Sequence, residues 1–167
     1  MTSPFVAILM GSDSDLPVMQ ATIGILKQFD INHEVRVRSA HRTPDAAKAY
    51  VKDAEERGCK VFICAAGLAA HLAGAVAGMT TRPVIGVPID NGPLQGHDAL
   101  LSTVMMPGGI PVATVAIGKA GAKNAGYLAA QILGVADQSM ADKVKAERVA
   151  NAKALLAKDD AMQAKLN

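Results

Sequence analysis

Short apolar segments alternate with longer segments of helical pattern along most of the chain. Phe5–Met10 is a continuous apolar run of the kind found in strands that are buried on both faces. The predicted strands span residues 5–10, 33–38, 60–65, 83–88 and 112–117. The predicted helices span residues 16–28, 45–57, 70–78, 97–106 and 120–133. Strands that alternate with helices in this way predict an α/β fold, with one five-stranded parallel sheet covered by helices on both faces.

The pattern changes after Gly134. Residues 137–166 are rich in alanine and lysine, with only sparse large apolar residues, and are expected to form one weakly amphipathic helical segment. Such a helix is not stable alone and must pack on its own domain or on a neighbouring subunit. We therefore expect a catalytic domain over residues 1–134 and a C-terminal helical extension over residues 135–167 that belongs to the same domain.

The composition favours a cytoplasmic protein that assembles with itself. The chain has 167 residues, of which 50% are hydrophobic and 19% charged, and its mean hydropathy is +0.22. No apolar run is long enough to span a bilayer, and the run at 5–10 is too short for the core of a signal peptide. The surplus of apolar residues is expected to be buried between subunits.

Nucleic-acid and metal binding are disfavoured. The net charge is only +2, the 17 basic residues form no block, and aromatic residues make up 3% of the chain, so platforms for stacking bases are scarce. Cys59 and Cys64 lack the spacing of a redox or zinc motif, and Cys64 is expected to be a buried thiol. The four histidines lie far apart in sequence, which predicts no metal site.

The loop after the second predicted strand carries the clearest chemistry. Residues 39–44 combine a titratable imidazole (His41), a fixed cation (Arg42) and two hydroxyls (Ser39 and Thr43). Histidine titrates near neutral pH and can both give and take a proton. The carboxyl ends of parallel strands are where such folds bind ligands. An enzyme acting on a phosphorylated or carboxylated small molecule is indicated, the alternative being an exposed polar loop.

The helix that follows this loop is expected to begin with Thr43 as N-cap, Pro44 in the first turn and Asp45 beside it. Backbone N–H groups at a helix start attract anions. This location therefore places a proton donor next to a candidate anion site.

Two further loops at the same predicted edge are polar or rich in small residues. In residues 11–15, Ser12 and Ser14 offer hydroxyl donors and Asp15 can accept two hydrogen bonds from a ribose diol. The alternative is that Asp13 or Ser14 only caps the next helix. In residues 67–74, small residues allow backbone N–H groups to approach a ligand.

The other histidines are weaker candidates. His71 is either a second acid/base or a residue with a structural hydrogen bond, while His33 and His97 are less favoured still.

Several segments together resemble one family. They are GSDSD at 11–15, SAHRTPD at 39–45, AAHL at 69–72, GVP at 86–88 and MPGGIPVATVAIGKAGAKNA at 106–125. In order and spacing they are similar to the class I 5-(carboxyamino)imidazole ribonucleotide mutases of purine biosynthesis, over about residues 5–134. The related animal-type carboxylases, which use carbon dioxide directly, have lysine in place of Arg42 and Arg-Ser-Asn in place of residues 69–71.

The resemblance implies a three-layer flavodoxin-like sandwich that assembles as a homo-octamer and uses a ribonucleotide substrate without metal, ATP, biotin or redox cofactor. It implies that His41 is the general acid/base and that Asp15 holds the ribose hydroxyls. It assigns phosphate and carboxylate recognition to a set of side chains and backbone groups, namely Ser12, Ser14, Ser39, Arg42, Ala70, His71 and Leu72.

The chain departs from the family pattern in its loops. Leu68 and Ala73 stand where many members have glycine and proline, and residues 90–97 have an unusual composition. These departures concern the shape of the loops over the substrate. Two other functions stay open, a direct carboxylase of aminoimidazole ribonucleotide and a non-catalytic nucleotide-binding module.

Overall fold

Five parallel strands form the sheet of this computed structural model, which describes residues 4–166. The strands are β1 (Phe5–Met10), β2 (His33–Val37), β3 (Cys59–Ala66), β4 (Val84–Pro88) and β5 (Ala113–Thr114). They are hydrogen-bonded in the order β2-β1-β3-β4-β5, and every pair is parallel. This is the flavodoxin-like order of a doubly wound sheet, so the predicted fold class is confirmed.

Helices cover both faces of the sheet. They are α1 (Leu16–Gln28), α2 (Pro44–Glu56), α3 (Leu72–Ala77), α4 (His97–Val104), α5 (Gly118–Gly134) and α6 (Gln138–Leu166). Because successive residues of a strand point to opposite faces, Val6 and Ile8 pack in a core with α1 and α5. Ala7 and Leu9 pack in a second core with α2 and α3. Each core lies between the sheet and the helices on one of its faces, so the fold has three layers.

The fifth strand is shorter than the apolar pattern at 112–117 predicts. Only Ala113 and Thr114 pair with β4, and the N–H of Val115 makes one more bond, 3.0 Å long, to the carbonyl oxygen of Gly86. The next donor on β4 would be Pro88, which has no N–H. The ladder therefore stops there.

The predicted start of α2 is correct in position but not in contacts. Thr43 occupies the N-cap position and Pro44 begins the helix, yet the Thr43 side chain makes no cap bond. Its hydroxyl instead accepts a hydrogen bond from the N–H of Ser39 at 2.9 Å and donates to the Ser39 carbonyl oxygen at 3.2 Å. Thr43 thus closes the loop that carries His41.

The predicted C-terminal segment forms one helix, α6. Its first turns pack against α5, and Val144 is its buried residue, whereas residues 150–166 are exposed. Exposed apolar residues on this outer part include Leu155, Leu156 and Met162. None of the helices within residues 4–166 is both long and apolar enough to cross a membrane.

Candidate active site

Loops that follow β1, β2, β3 and β4 surround a cavity of about 450 Å³ at the carboxyl edge of the sheet. The structure brings together eight of the nine site residues expected from the sequence. The cavity is lined by Ser12, Ser14, Asp15, Ser39, His41, Arg42, His71 and Leu72. Ala70 is buried at 1% exposure and does not line the cavity.

A one-turn helix after β1 positions Ser12, Ser14 and Asp15. Ser12, rather than Asp13 or Ser14, is its N-cap: its hydroxyl accepts from the N–H of Ser14 at 3.3 Å. The hydroxyl of Ser14 in turn donates to that of Ser12 at 2.9 Å. The two hydroxyls therefore present adjacent polar groups to the cavity.

Asp15 is buried, with 2% of its surface exposed. Its Oδ2 accepts a hydrogen bond from the Ser12 N–H at 3.0 Å. Burial raises the pKa of the Asp15 carboxyl above its ordinary value, while hydrogen bonds from the backbone of Ser12 and Gly11 and the positive charge of Arg42 oppose that rise. The backbone thus holds this carboxylate in place at the cavity wall.

The loop after β2 is fastened to the end of β1. The hydroxyl of Ser39 accepts a hydrogen bond from the Arg42 N–H at 3.1 Å. The Arg42 guanidinium donates through Nη2 to the Gly11 carbonyl oxygen at 2.8 Å. Because a guanidinium carries five N–H donors, Arg42 keeps donors that can bind an anion in the cavity.

His41 and His71 face each other. His41 Nε2 lies 2.8 Å from His71 Nδ1, and the rings meet edge to face with centroids 4.9 Å apart. A contact of this length is a hydrogen bond with one hydrogen between the two nitrogens. His71 lies at the residue before α3. The sequence left its role open, and the structure places it in direct contact with His41.

The cavity is also lined by Gly67 and Leu68, which belong to the loop at 67–74 that the sequence indicated, and by Asn91, which sequence reasoning missed. Leu68 has a φ of +56°, in the left-handed region. That conformation is ordinary for glycine and costs other residues about 1–2 kcal/mol, which explains why glycine suits this position. The unusual composition of residues 90–97 was the available signal for Asn91.

The remaining histidines and the cysteines lie apart from this cavity. Nδ1 of His33 and of His97 donates to a backbone carbonyl oxygen, that of Ile31 and of Leu94 respectively. Cys59 and Cys64 are buried free thiols, as expected for Cys64. Burial raises the pKa of Cys59 to about 11 and raises that of Cys64 as well, so neither thiol is a nucleophile at neutral pH. Across residues 4–166, no three His, Cys, Asp or Glu side chains are grouped so as to hold a metal ion.

A three-layer sandwich with an imidazole pair, hydroxyls and a cation around one cavity defines a class of small-molecule enzymes, and comparison with known proteins identifies the family. The family model described as AIR carboxylase matches residues 5–154. The chain belongs to this family.

Named relatives agree on a mutase. The N5-carboxyaminoimidazole ribonucleotide mutase of Thermotoga maritima is 58% identical over 142 residues, which cover 85% of this chain and 82% of the relative. That of Bacillus subtilis is 54% identical over 145 residues, covering 87% of this chain and 90% of the relative. The solved structure of Treponema denticola PurE is 34% identical, with a TM-score of 0.85 over 95% of this chain and 98% of that chain. The family resemblance stated from the sequence is confirmed, and an enzyme of mutase type is indicated.

Proposed function

We propose that this chain converts 5-(carboxyamino)imidazole ribonucleotide into 4-carboxy-5-aminoimidazole ribonucleotide, a step of purine biosynthesis. The observation that carries the proposal is the His41–His71 pair, placed in one cavity with hydroxyls and a guanidinium. A ligand with an anionic group and a site of proton exchange fits this combination. The names of the relatives supply the particular substrate.

The polar residues divide between recognition and proton transfer. Arg42, with the hydroxyls of Ser12, Ser14 and Ser39, binds the phosphate and carboxylate groups, together with backbone groups near residues 70–72. The buried Asp15 accepts hydrogen bonds from the ribose diol. Because Asp15 is buried, little water competes for its carboxyl oxygens, and a hydrogen bond to them is stronger than it would be in water.

His41 moves the protons of the reaction. Protonated His41 donates to the exocyclic nitrogen as the N–C bond breaks, and carbon dioxide leaves while the bonding electron pair stays on nitrogen. The nucleophilic ring carbon then attacks the carbon dioxide and forms the new C–C bond. Neutral His41 removes the proton from that ring carbon, which restores aromaticity and returns the imidazole to its starting state. The protons and electrons balance without a metal or redox cofactor.

His71 supports this cycle through its contact with His41. When His41 is an imidazolium, its Nε2–H can donate to Nδ1 of a neutral His71, whose own hydrogen is then on Nε2. His71 holds the ring of His41 in one orientation during the two proton transfers.

An assay with two candidate substrates tests the reaction. The mutase should convert 5-(carboxyamino)imidazole ribonucleotide without added bicarbonate. The conversion is measured by the absorbance of the product. The direct carboxylase would instead use 5-aminoimidazole ribonucleotide and carbon dioxide. Turnover of the second substrate alone would overturn the proposal, and binding without turnover of either would point to a non-catalytic module.

We propose further that the protein is a cytoplasmic homo-octamer in which α6 lies on a neighbouring subunit. The outer part of α6, residues 150–166, is a helix with no buried residue, although helices of this kind depend on packing for stability. Leu155 and Leu156 are 68% and 64% exposed.

The division into a catalytic domain (1–134) and an extension (135–167) stays a prediction; residues 1–3 and 167 lie outside the described part.

Truncation after Gly134 tests this assembly. Light scattering should find an octamer for the full chain and smaller, less active species for the truncated one, because the surface under α6 loses its partner. The double variant Leu155→Ser and Leu156→Ser should weaken the same contact without removing the helix. An active monomer of the full chain at micromolar concentration would contradict the octamer, and an unchanged octamer after truncation would contradict the role of α6.

A further inference from the structure

The loops after β3 and β4 interlock through two residue pairs. A Cβ atom on Gly67 would lie 1.8 Å from Asn91 Oδ1 and 2.6 Å from Asn91 Nδ2, so the Asn91 amide lies directly on the Gly67 backbone. In return, a Cβ atom on Gly92 would lie 2.5 Å from Cδ2 of Leu68. Each loop thus provides one glycine and one side chain that covers the glycine of the other. This interlock holds Asn91 at the cavity wall.

The amide of Asn91 is available to a ligand. Asn91 lines the cavity and is exposed. Its side chain makes no hydrogen bond to any of the residues 4–166, in contrast to the hydroxyls of Ser12 and Ser39, which are both engaged. A carboxamide presents a donor, Nδ2, and an acceptor, Oδ1. Both are held beside the cavity without a hydrogen-bond partner among residues 4–166.

The strand order indicates which end of the ligand Asn91 meets. Arg42 follows β2, whereas Asn91 follows β4, three strand spacings away in the order β2-β1-β3-β4. Neighbouring strands are ~4.8 Å apart, so these attachment points are separated by about 14 Å. Arg42 bends back to Gly11 at the end of β1, while His41 reaches His71 after β3. The base, where the protons move, therefore lies toward β3 and β4, on the side of Asn91.

We propose that Asn91 is a substrate-binding residue that hydrogen-bonds the amine and carboxylate substituents of the imidazole base. This inference rests on the proposed function. A carboxamide can donate a hydrogen bond to a carboxylate and accept one from a neighbouring amine. A phosphate, in contrast, only accepts hydrogen bonds. Asn91 therefore contacts the part of the ligand that differs between substrate and product.

Calorimetric titration of the full-length chain with three ligands tests the assignment. The ligands are 4-carboxy-5-aminoimidazole ribonucleotide, 5-aminoimidazole ribonucleotide and ribose 5-phosphate. Asn91→Ala should weaken binding of the carboxylated ribonucleotide by about tenfold, the usual effect of losing hydrogen bonds to a charged group. Binding of ribose 5-phosphate should not change. Asn32→Ala, the same substitution at an exposed position before β2, should bind all three ligands as the unaltered chain does.

Asn91→Asp separates contact from shape, because it keeps the size of the side chain and its packing on Gly67. Its negative charge should repel the carboxylated ribonucleotide and weaken the binding of that ligand by about tenfold or more. The effect on the binding of 5-aminoimidazole ribonucleotide should be smaller. Unchanged affinity in both Asn91 variants would overturn the assignment, and so would an equal loss for ribose 5-phosphate. If the unaltered chain binds neither ribonucleotide, the proposed function itself fails, and this assignment fails with it.

Discussion

Gly67→Ala should damage ligand binding while leaving the fold intact. The new Cβ atom would lie 1.8 Å from Asn91 Oδ1. Real Cβ atoms do not come within 3.0 Å of such a neighbouring atom, so one of the two must move. The atom it meets is the end of an exposed side chain and not backbone. The Asn91 amide should therefore retreat by about 1 Å or more, and the Gly67 backbone should stay in place.

The expected magnitudes differ for stability and for binding. Gly67 is outside the left-handed region, so alanine is tolerated there and reduces the entropy of the unfolded chain, which adds about 0.4–1 kcal/mol to stability. Moving one exposed amide offsets part of that gain. We expect the free energy of unfolding to stay within about 1 kcal/mol of the unaltered chain. A displacement of this size in a site residue can cost up to about 100-fold in activity, and a loss of about tenfold in ligand affinity corresponds to the lost Asn91 hydrogen bonds.

A double-mutant cycle distinguishes this cause from a general disturbance of the loop. If Gly67→Ala acts by moving Asn91, then the variant with both Gly67→Ala and Asn91→Ala should bind the carboxylated ribonucleotide no more weakly than Asn91→Ala alone. Gly24→Ala is the matched control, since nothing lies within 4 Å of its new Cβ atom and it lies inside α1. It should raise stability by about 0.5–1 kcal/mol and leave binding unchanged. Additive losses in the double variant, or full affinity in Gly67→Ala, would refute the reasoning.

Two further variants probe the loop and the sheet edge. Leu68→Gly should change the free energy of unfolding in urea by no more than about 1 kcal/mol. Relief of the left-handed backbone, about 1–2 kcal/mol, is offset by the entropy cost of glycine, about 0.5–1 kcal/mol, and by loss of the half-exposed Leu68 side chain from Gly92; a larger loss would contradict this. Glu34 accepts hydrogen bonds from Arg57 and Tyr50, and the bonds from Arg57 above all hold the pKa of the Glu34 carboxyl below its ordinary value. This carboxylate therefore stabilises the fold at neutral pH, and that stability is lost as the pH falls below about 4.3. Glu34→Gln should be less stable at pH 7 and lose less stability on acidification, and an unchanged pH profile would contradict the assignment.

The sequence pattern predicts the parts of the fold that depend on local burial. The continuous apolar run of β1 and the helix-forming stretches around the sheet are evident from residue order alone, as is the concentration of polar residues at strand ends. The end of β5 is different, because it depends on Pro88 of the neighbouring strand. A missing N–H in one strand limits the pairing of another, and only the strand order reveals that.

The candidate site shows the same division. The sequence alone predicts several site residues, because their side chains have recognisable chemistry and follow a strand end. These are the serine hydroxyls, Arg42 and His41. The contact between His41 and His71 joins residues 30 positions apart, and two loops had to converge to form it. Asn91 was missed because its amide packs on the backbone of Gly67. The loops that carry these two residues meet only because β3 and β4 are neighbours in the sheet.

The most direct test of the account is the turnover of purified His41→Asn with 5-(carboxyamino)imidazole ribonucleotide as substrate. Loss of a general acid/base lowers the rate by roughly 100-fold or more, and we expect that loss in kcat while binding of the carboxylated ribonucleotide stays close to that of the unaltered chain. His33→Asn, at the amino end of β2 and outside the cavity, provides the matched control and should keep normal turnover. Near-normal turnover of His41→Asn would contradict the central claim that this imidazole moves the protons of the reaction.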